Sequence, residues 1–421
     1  MSSVEKRIRD GKVTWLARWR DPDGRQRKAS FAKQSEAKRH AAAMEADAAR
    51  GVYIDQDDRT TVGQECRAWL ERRSVGPDTY KRLDRFIRNH IEAVPLGTRR
   101  LVAVRPSEVQ AWVSDRARVM APSSLAKVVS ILRSACADAV ADRKLAASPA
   151  VRLTLPRAEP DRVVPLSVAQ VLAVVEAADA LASRYRAMVI VQAGLGLRIG
   201  ELLGLRVSDV DFLRRTVRVE HQSHKTTRAL VKPKTVSSRR RIPLPQWVAD
   251  ALAVHLAAHP PSTDIECSCP REVTCSRSRS GLIFHTRTNR PIAQDYYCER
   301  SVFGKFIDGA NTVIRKANAI IRKANAMLPA GAAKAAELPE LPSGTTTHDL
   351  RHHFASVLLA AGESVVAVAE WMGHRNATLV LSTYGHLMPN SEDRMRRAID
   401  EAYLATPSRA PTVPPRSAVH S

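Results

Sequence analysis

Basic, imidazole and phenol side chains recur in short segments between residues 196 and 386 of this 421-residue chain. The first segment places Arg198 at the start of an otherwise apolar helix, where a buried guanidinium needs an anionic partner. That partner is either Glu201, three residues further along, or a phosphate bound by both arms of the guanidinium. The residues alone favour the internal ion pair over the phosphate.

Two further candidates, His348 and Arg351, are three residues apart and share one face of a predicted helix that Thr347 would cap. An imidazole beside a guanidinium at a helix N-terminus suits an anion. Two like charges side by side are unfavourable unless an anion lies between them, so the pattern favours anion binding over packing. The buried face of this helix is predicted to consist of Leu350, Phe354, Val357 and Leu358.

Three more candidates complete the set. His374 lies just past a predicted helix that ends at Gly373 in the left-handed conformation. Tyr384 comes ten residues later, and a lone tyrosine is most often a half-buried packing residue. Residues 232–244, which include Lys234, run from a turn into a strand. They form either a basic hairpin tip that reaches toward a DNA groove or an exposed, solvated turn.

The charge balance indicates the kind of partner. Lys and Arg number 66 against 43 Asp and Glu, so the formal net charge is +23, and nucleic acid is the default polyanion. The chain has no apolar run of about 18 residues and no hydrophobic signal region, which argues against membrane insertion and secretion. Six cysteines are too few for a disulfide scaffold in a chain of this length. We therefore expect a cytoplasmic, reduced protein without a membrane partner.

The elements that must position these residues predict a multidomain α+β protein. Residues 1–60 form a small three-stranded sheet followed by a helix, and this basic sheet either enters a DNA major groove or presents a solvated face. Residues 61–155 are predicted to be all α-helical, with helices over 62–73, 77–92, 106–118 and 123–143. The three prolines of 156–166 indicate an extended linker.

The largest domain, 164–404, is predicted to be mostly α-helical with a small antiparallel sheet. Its helices cover 167–180, 184–194, 347–361 and 364–372, and its strands cover 217–221 and 239–244. The hexapeptide Ile-Arg-Lys-Ala-Asn-Ala occurs at 314–319 and again at 321–326, and a seven-residue duplication lengthens one helix by two turns in phase. The tail, 405–421, is predicted to be disordered.

The order of the candidates resembles a known family. Arg198, Lys234, His348-x-x-Arg351, His374 and Tyr384 follow one another as in the catalytic set of the tyrosine recombinase (phage integrase) family. The surrounding segments Gly-Leu-Arg-Ile-Gly-Glu-Leu-Leu-Gly-Leu, Lys-Thr-x-x-Ser-x-Arg-x-Ile-Pro-Leu, Thr-His-Asp-Leu-Arg-His and Met-Gly-His are also close to those of the family. The resemblance covers 164–404 closely. It extends in layout to 1–60 as an arm-type DNA-binding domain and to 61–155 as a core-binding domain.

This resemblance implies an enzyme that cuts and rejoins double-stranded DNA through a 3′-phosphotyrosyl intermediate. Tyr384 would be the nucleophile. Arg198 and Arg351 would bind the non-bridging oxygens of the scissile phosphate, and His348 and His374 would hydrogen-bond the phosphate and manage protons. Lys234 would protonate the departing 5′-oxygen, and it is preferred to Lys232 and Lys225 because it precedes Thr235 in the family-like segment. The neighbours His352 and His353 do not fit the His-x-x-Arg spacing, His386 is auxiliary, and Asp349 stabilises the helix N-terminus.

The physical chemistry agrees with that assignment. Preorganised cations stabilise the charge that builds up on a phosphate in the transition state, and they also favour ionisation of a phenol whose ordinary pKa is about 10. We therefore expect no cofactor, no metal and no ATP. A zinc site built from Cys267, Cys269 and Cys275 with Cys298 or His285 is the weaker interpretation of the insertion 264–280, whose default is free thiols in a variable loop.

The resemblance further implies an integrase of a phage or integrative mobile element that works as a homotetramer on DNA. Candidate partners besides DNA are an excisionase and a host DNA-bending protein. The amphipathic segment 391–403 is expected to dock on a neighbouring subunit. The alternatives are a resolvase or invertase of the same family, and a DNA-binding regulator without catalysis.

Overall fold

A computed structural model describes residues 2–9, 12–157, 163–233, 236–262, 281–298, 302–329 and 331–385, together with 395–396 and 399–400. The chain divides into two compact units, Met1–Pro160 and Asp161–Ser421. The elements form the expected multidomain α+β fold, with a small N-terminal sheet, a helical remainder of the first unit and a mostly helical second unit. In the described part of the chain, no helix is long and apolar enough to cross a membrane.

The first unit begins with an antiparallel sheet in the order β1–β2–β3. Its small core forms where Ala17 and Trp19 of the central strand meet Ala37 and Ala41 of α1. The indole nitrogen of Trp19 donates a hydrogen bond of 3.2 Å to the hydroxyl of Tyr53. The bounds are β1 (Ser3–Arg9), β2 (Lys12–Arg20), β3 (Gln26–Phe31) and α1 (Gln34–Ala49).

The rest of the first unit is helical, as predicted. The helices are α2 (Val62–Glu71), α3 (Pro77–Ile87), α4 (Pro95–Thr98), α5 (Pro106–Ala117) and α6 (Pro122–Ala141). The expected single helix over 77–92 is wrong in its last turn, because the α-helix ends at Ile87 and a π-helical turn, Arg88–Glu92, follows. Gly97 packs against that turn so closely that a Cβ there would lie 2.1 Å from the carbonyl oxygen of Ile91.

The second unit is built around one apolar helix, α8, which packs against α7, α10 and α13. Its helices are α7 (Val168–Ala182), α8 (Arg186–Leu195), α9 (Ile199–Leu203), α10 (Gln246–Ala258), α11 (Gln294–Cys298), α12 (Phe303–Ala326), α13 (Thr347–Ala360), α14 (Val365–Met372) and α15 (Ala377–Tyr384). The strands are β4 (Val210–Asp211), β5 (Thr216–Val219), β6 (Gln222–Ser223), β7 (Leu230–Val231) and β8 (Arg240–Pro243). They form an antiparallel sheet, β4–β5–β8, and a two-stranded ribbon, β6–β7.

Two predictions for α13 are corrected. The N-cap is Thr346 rather than Thr347, because the hydroxyl of Thr346 accepts a hydrogen bond from the amide of His348. Val357 is 42% exposed, whereas Arg351 is buried. A single apolar stripe does not describe this helix, because α8, α14 and α15 all pack against it.

The duplicated hexapeptide lies within α12, so the predicted lengthening of one helix is confirmed. Lys234, His386, the segment 264–280 with Cys267, Cys269 and Cys275, and the tail 405–421 lie outside the described residues, as does most of 391–403.

Candidate active site

Four helix ends of the second unit bring the candidate residues together. Helix α8 stops at Gly196 in the left-handed conformation, with a φ of 60°, so the chain turns at once into Arg198 at the start of α9. A Cβ on Gly196 would lie 2.4 Å from the ring of Phe354, which shows how closely α13 approaches this turn. Helix α14 stops at Gly373, also left-handed with a φ of 66°, as predicted, and His374 follows.

Arg198 forms the ion pair that its sequence context favoured. Its Nη1 lies 2.8 Å from Oε1 of Glu201, and its backbone amide donates to Oε2 of the same carboxylate at 2.9 Å. The other arm, Nη2, donates to the carbonyl oxygen of Gly373 at 3.0 Å. Because 37% of the Arg198 side chain remains exposed, the ion pair does not prevent a phosphate from approaching the same guanidinium.

Glu201 also binds a second arginine, Arg240 of β8, through bonds of 3.1 and 2.9 Å. Both side chains are almost fully buried. Burial alone would raise the pKa of the Glu201 carboxyl, but the hydrogen bonds and charges of Arg240 and Arg198 hold it below its ordinary value. The predicted strand 239–244 is confirmed by β8, but the hairpin-tip and exposed-turn interpretations of 232–244 do not account for the burial of Arg240. The alternation of β8, with Arg240 and Ile242 inward and Arg241 and Pro243 outward, is the signal that identifies it.

Arg351 is 1% exposed and is held by backbone oxygens. Its guanidinium donates to the carbonyls of Gly196 and Met372. No acidic side chain of the described residues forms an ion pair with it. Burial, followed by the charge of Arg198, lowers the pKa of Arg351 to about 9, which still leaves it cationic at neutral pH. A buried cation beside a second cation, held without a carboxylate of its own, is a site that an anion would stabilise.

His374 lies against this buried guanidinium. Its Nε2 is 2.9 Å from Nη2 of Arg351, and because a guanidinium can only donate, Nε2 accepts and Nδ1 carries the proton. Burial and the charge of Arg351 lower the pKa of His374 to about 4, so the ring is neutral at pH 7. Nδ1 is buried and has no hydrogen-bond partner in the described structure. An unpaired buried donor costs about 1–3 kcal/mol, so an acceptor placed at this atom would be stabilised.

Tyr384, the last residue of α15, is 2% exposed, and its hydroxyl contacts Nδ1 of His352. Burial raises the pKa of Tyr384 to about 12, although the charge of Arg351 opposes the shift. The rings of His352 and His348 meet edge to face, with centroids 4.7 Å apart. The His-x-x-Arg spacing predicts His348 as the functional imidazole and does not include His352. The spacing of four residues from His348, which places both on one helical face, is the signal that finds it.

The other candidate residues make contacts elsewhere in the second unit. The ring of His353 lies 2.7 Å from the carbonyl oxygen of Leu166, which ties α13 to the chain just before α7. Asp349 accepts bonds of 2.7 and 2.9 Å from the amide and hydroxyl of Thr346, so it stabilises the helix start as expected. Lys225 forms an ion pair of 3.0 Å with Asp295. Lys232 is exposed and lines a cleft of about 460 Å³ with six other residues, five of them cationic or imidazole: Arg218, Glu220, His221, Arg239, Arg240 and Arg241.

One described group, Asp209, Glu220 and His221, has a spacing that would suit a metal ion. Arg206 contacts two of its three members, with Nη2 at 3.4 Å from Asp209 and 3.0 Å from Nδ1 of His221, so a guanidinium already engages two of the would-be ligands. His285, an alternative zinc ligand, has both ring nitrogens 2.9 Å from backbone carbonyl oxygens and is therefore engaged elsewhere.

Residues 165–391 match the model of the phage integrase family. The chain belongs to the phage integrase family. This integrase is a tyrosine-type site-specific recombinase, of the kind that integrates mobile elements. It is 22% identical over 377 residues to a XerC-like tyrosine recombinase of Caldanaerobacter subterraneus, with 84% of this chain and 86% of that protein covered. It is 25% identical to a prophage phiRv2 integrase of Mycobacterium tuberculosis, with 87% of each covered.

Solved structures share the fold of this integrase. The Tn1549 transposon integrase in complex with a circular intermediate DNA has a TM-score of 0.61 at 21% identity, over 82% of this chain and 99% of that one. A lambda integrase dimer bound to a COC′ core site has a TM-score of 0.51 at 14% identity, over 90% and 93% of the two chains.

The histidines of the site make stability depend on pH. The pKa values of His348, His352, His353 and His374 are all lowered, with burial as the first cause. Between the folded value of about 4 for His374 and the unfolded value of about 6.5, the unfolded chain binds more protons. Stability should therefore fall as pH decreases from 7 to 5, by about 1–3 kcal/mol for the cluster after allowing for solvent screening.

Thermal unfolding at pH 7, 6 and 5 measures this effect. The variant His374→Gln should reduce the pH dependence, because it removes one of the four histidines, whereas the matched control His40→Gln, in the first unit, should retain all of it. An unchanged slope in His374→Gln would contradict the prediction.

Proposed function

We propose that this cluster is the active site in which Tyr384 attacks the scissile phosphate of double-stranded DNA. The observation that carries the proposal is the arrangement of donors formed by Arg198, Arg351 and His374. Two guanidinium groups and an unpaired Nδ1 converge there, and Arg351 has no carboxylate partner among the described residues. A phosphodiester supplies the acceptor and the charge that this arrangement needs.

In the proposed step, a bond forms between Oη of Tyr384 and phosphorus while the bond from phosphorus to the 5′-oxygen breaks. Arg198 and Arg351 stabilise the charge on the non-bridging oxygens, and Nδ1 of His374 donates to one of them. The 5′-oxygen takes a proton from Lys234, in the role that the family resemblance implies. The phosphotyrosyl bond retains the energy of the phosphodiester, so rejoining by the reverse step needs no ATP.

The phenol must lose a proton during attack, and its pKa of about 12 in the free protein opposes this. His352 is the imidazole in contact with the hydroxyl, and we assign it the proton from Oη. His348 then remains as the imidazole nearer to solvent, available to the phosphate. Because Tyr384 is buried, attack also requires α15 to present the hydroxyl to the DNA.

The test uses the full-length protein and a nicked duplex that carries a candidate attachment site. In EDTA without ATP, the wild type should form a covalent protein–DNA adduct. Digestion and mass spectrometry should find the nucleotide on the peptide that contains Tyr384. An adduct on another residue would refute the assignment, and DNA binding without any adduct would favour the non-catalytic regulator.

The assignment to His352 makes a separate prediction. His352→Gln keeps a hydrogen-bonding group near the phenol but cannot accept its proton, so adduct formation should slow by about 10²-fold or more at unchanged DNA affinity. A general base must be neutral, so the wild-type rate should fall as pH decreases through the His352 pKa, which lies below its ordinary value. His352→Gln should lose this acid limb, and His348→Gln, on the same helical face, should retain it. An unchanged pH profile in His352→Gln would reduce His352 to a packing role.

We further propose that 1–60 acts as an arm-type DNA-binding domain, that 61–155 is the core-binding domain and 164–404 the catalytic domain, and that the protein works in the cytoplasm. The sequence supports this through the basic sheet of the first unit and the net charge of +23. Four copies would pair two duplexes, with an excisionase or a host DNA-bending protein as accessory partners.

The proposed tetramer is tested through the docking of segment 391–403 on a neighbouring subunit. Deletion of 391–421 should leave cleavage of a single site within about twofold of the wild type, because the deletion removes none of the proposed catalytic residues. Recombination between two sites should be lost. Normal recombination by the truncated protein would contradict docking through this segment, and gel mobility of the paired complex provides a second readout.

A further inference from the structure

The duplicated hexapeptide places three asparagines on one face of α12. Asn311, Asn318 and Asn325 are spaced by seven residues, and the two copies of the repeat supply the last two. A spacing of seven residues returns nearly to the same side of a helix, so the three side chains form a row. We call this row the asparagine ladder.

Each asparagine binds the backbone of a segment that runs back along the helix, residues 335–341, which we call the strap. Asn311 donates to the carbonyl of Leu341 at 3.0 Å and accepts from its amide at 2.7 Å. Asn318 pairs in the same way with Leu338 at 2.9 and 2.8 Å, and Asn325 with Ala335 at 2.8 and 2.9 Å. One side-chain amide therefore satisfies both backbone groups of every third strap residue.

The register follows from the two geometries. Seven helical residues rise about 10.5 Å, and three residues of an extended, polyproline-type chain span about 9.3 Å. The two lengths are similar enough for the pairing to repeat three times. We call each asparagine and its backbone partner a rung of the ladder. Exposed ion pairs follow the same spacing, Arg315 with Glu340 and Arg322 with Glu337, but such pairs contribute little in water.

The three rungs differ in burial and in their contacts with the rest of the unit. Asn318 is 7% exposed, and Leu341, the partner of Asn311, is 3% exposed. The strap is tied to α7 at this level, because Nε2 of Gln170 donates to the carbonyl of Pro339 at 3.0 Å. Asn325 and Ala335 are less enclosed, at the outer end of the helix. The inner rungs therefore fix the strap to the body of the unit, and the outer rung repeats the pairing.

The strap leads directly into the active site. After Leu341 the chain makes one turn, in which the amide of Thr345 donates to the carbonyl of Pro342, and Thr346 then caps α13. That helix carries His348, Arg351 and His352. We propose that Asn311 and Asn318 are positioning residues for the recombination reaction: by fixing the strap they fix where α13 begins, while Asn325 adds no positioning. The inference rests on the proposed function of the Tyr384 site.

The duplication supplies its own test in the full-length protein. Asn318→Ala should slow adduct formation at saturating DNA by about tenfold or more, since displacements of about 1 Å have effects of that order. DNA affinity should stay within about twofold. The matched control Asn325→Ala makes the same chemical change one repeat further out, and it should leave both quantities near the wild type.

A deletion tests whether any asparagine at the place of Asn318 is sufficient. Removal of 314–320 deletes Asn318 entirely but moves the second copy, with Asn325, into its place. We expect this protein to cleave nearly as fast as the wild type, and faster than Asn318→Ala. Equal losses in Asn318→Ala and Asn325→Ala, or a deletion as slow as Asn318→Ala, would overturn the proposal.

Hydrogen exchange in the DNA-free protein tests the ladder even if the wild type forms no adduct, a result that would refute the proposed function alone. Amides of 338–351 should exchange faster in Asn318→Ala and at the wild-type rate in Asn325→Ala. Equal exchange in all three proteins would overturn the positioning role.

Discussion

Replacement of Tyr384 by phenylalanine is expected to abolish the covalent protein–DNA adduct, a loss of about 10⁴-fold or more, to the background of the assay. The variant lacks the oxygen that would bond to phosphorus. It should still fold, because the phenylalanine ring can keep its place in the apolar cluster that Tyr384 shares with Leu359, Met372 and Val380. The hydrogen bond to His352 is lost, which costs about 1 kcal/mol.

Adduct formation and DNA affinity must be measured on the same preparation. Affinity for the attachment site should remain within about twofold, because the proposed phosphate contacts come from Arg198, Arg351 and His374 rather than from the phenol. Tyr80→Phe, an exposed tyrosine of the first unit, is the matched control and should form adduct normally. A full yield of adduct from Tyr384→Phe would identify a different nucleophile.

Glu201→Gln is expected to produce the largest loss of stability. The substitution removes the carboxylate that pairs with both Arg198 and Arg240 among the described residues, and the Arg240 side chain is 2% exposed. Breaking a buried ion pair from one side typically costs about 3–5 kcal/mol, because an uncompensated charge stays in the interior. Since the pKa of Glu201 is lowered in the folded protein, its contribution is complete above its ordinary pKa of 4.5 and is lost as pH falls further.

Urea unfolding of the second unit measures this loss, and a double variant separates stability from chemistry. Glu201→Leu with Arg240→Leu removes both buried charges and should recover most of the stability. It should not recover cleavage, because Arg198 loses the carboxylate that orients its guanidinium. A loss below about 1 kcal/mol in Glu201→Gln would show that the carboxylate is not the counterion of this site.

The sequence predicts the local elements well and their packing less well. Turn dipeptides, proline positions and apolar periodicity predict the three-stranded sheet and most helices, because these signals act over a few residues. The burial of Arg240 depends on Glu201, which lies 39 residues earlier, so no local pattern contains it. The tyrosine candidate is similar: its contact with His352 joins α15 to α13 and appears only once both helices have packed.

The proposed anion position stays a prediction, and the sequence suggested it for a different reason. Its chemistry lies in residue types, and arginine and histidine retain their donors wherever the fold places them. What the sequence does not contain is that backbone carbonyls hold Arg351, whereas Arg198 and Arg240 share Glu201. The sequence also does not predict the π-helical end of α3 or the exposure of Val357, because both depend on neighbours that are distant in the chain.

The end of α14 has a consequence for how this site remains charged. Three successive carbonyls there, those of Trp371, Met372 and Gly373, accept bonds from Arg240, Arg351 and Arg198 respectively. A helix C-terminus carries a fractional negative charge, about half an electron, from its aligned peptide dipoles. Dipoles of this kind hold guanidinium groups in place without cancelling their positive charge. Additional carboxylates would cancel it. Under the proposed function, the site therefore keeps its positive charge before DNA binds, and the scissile phosphate would act as its counterion.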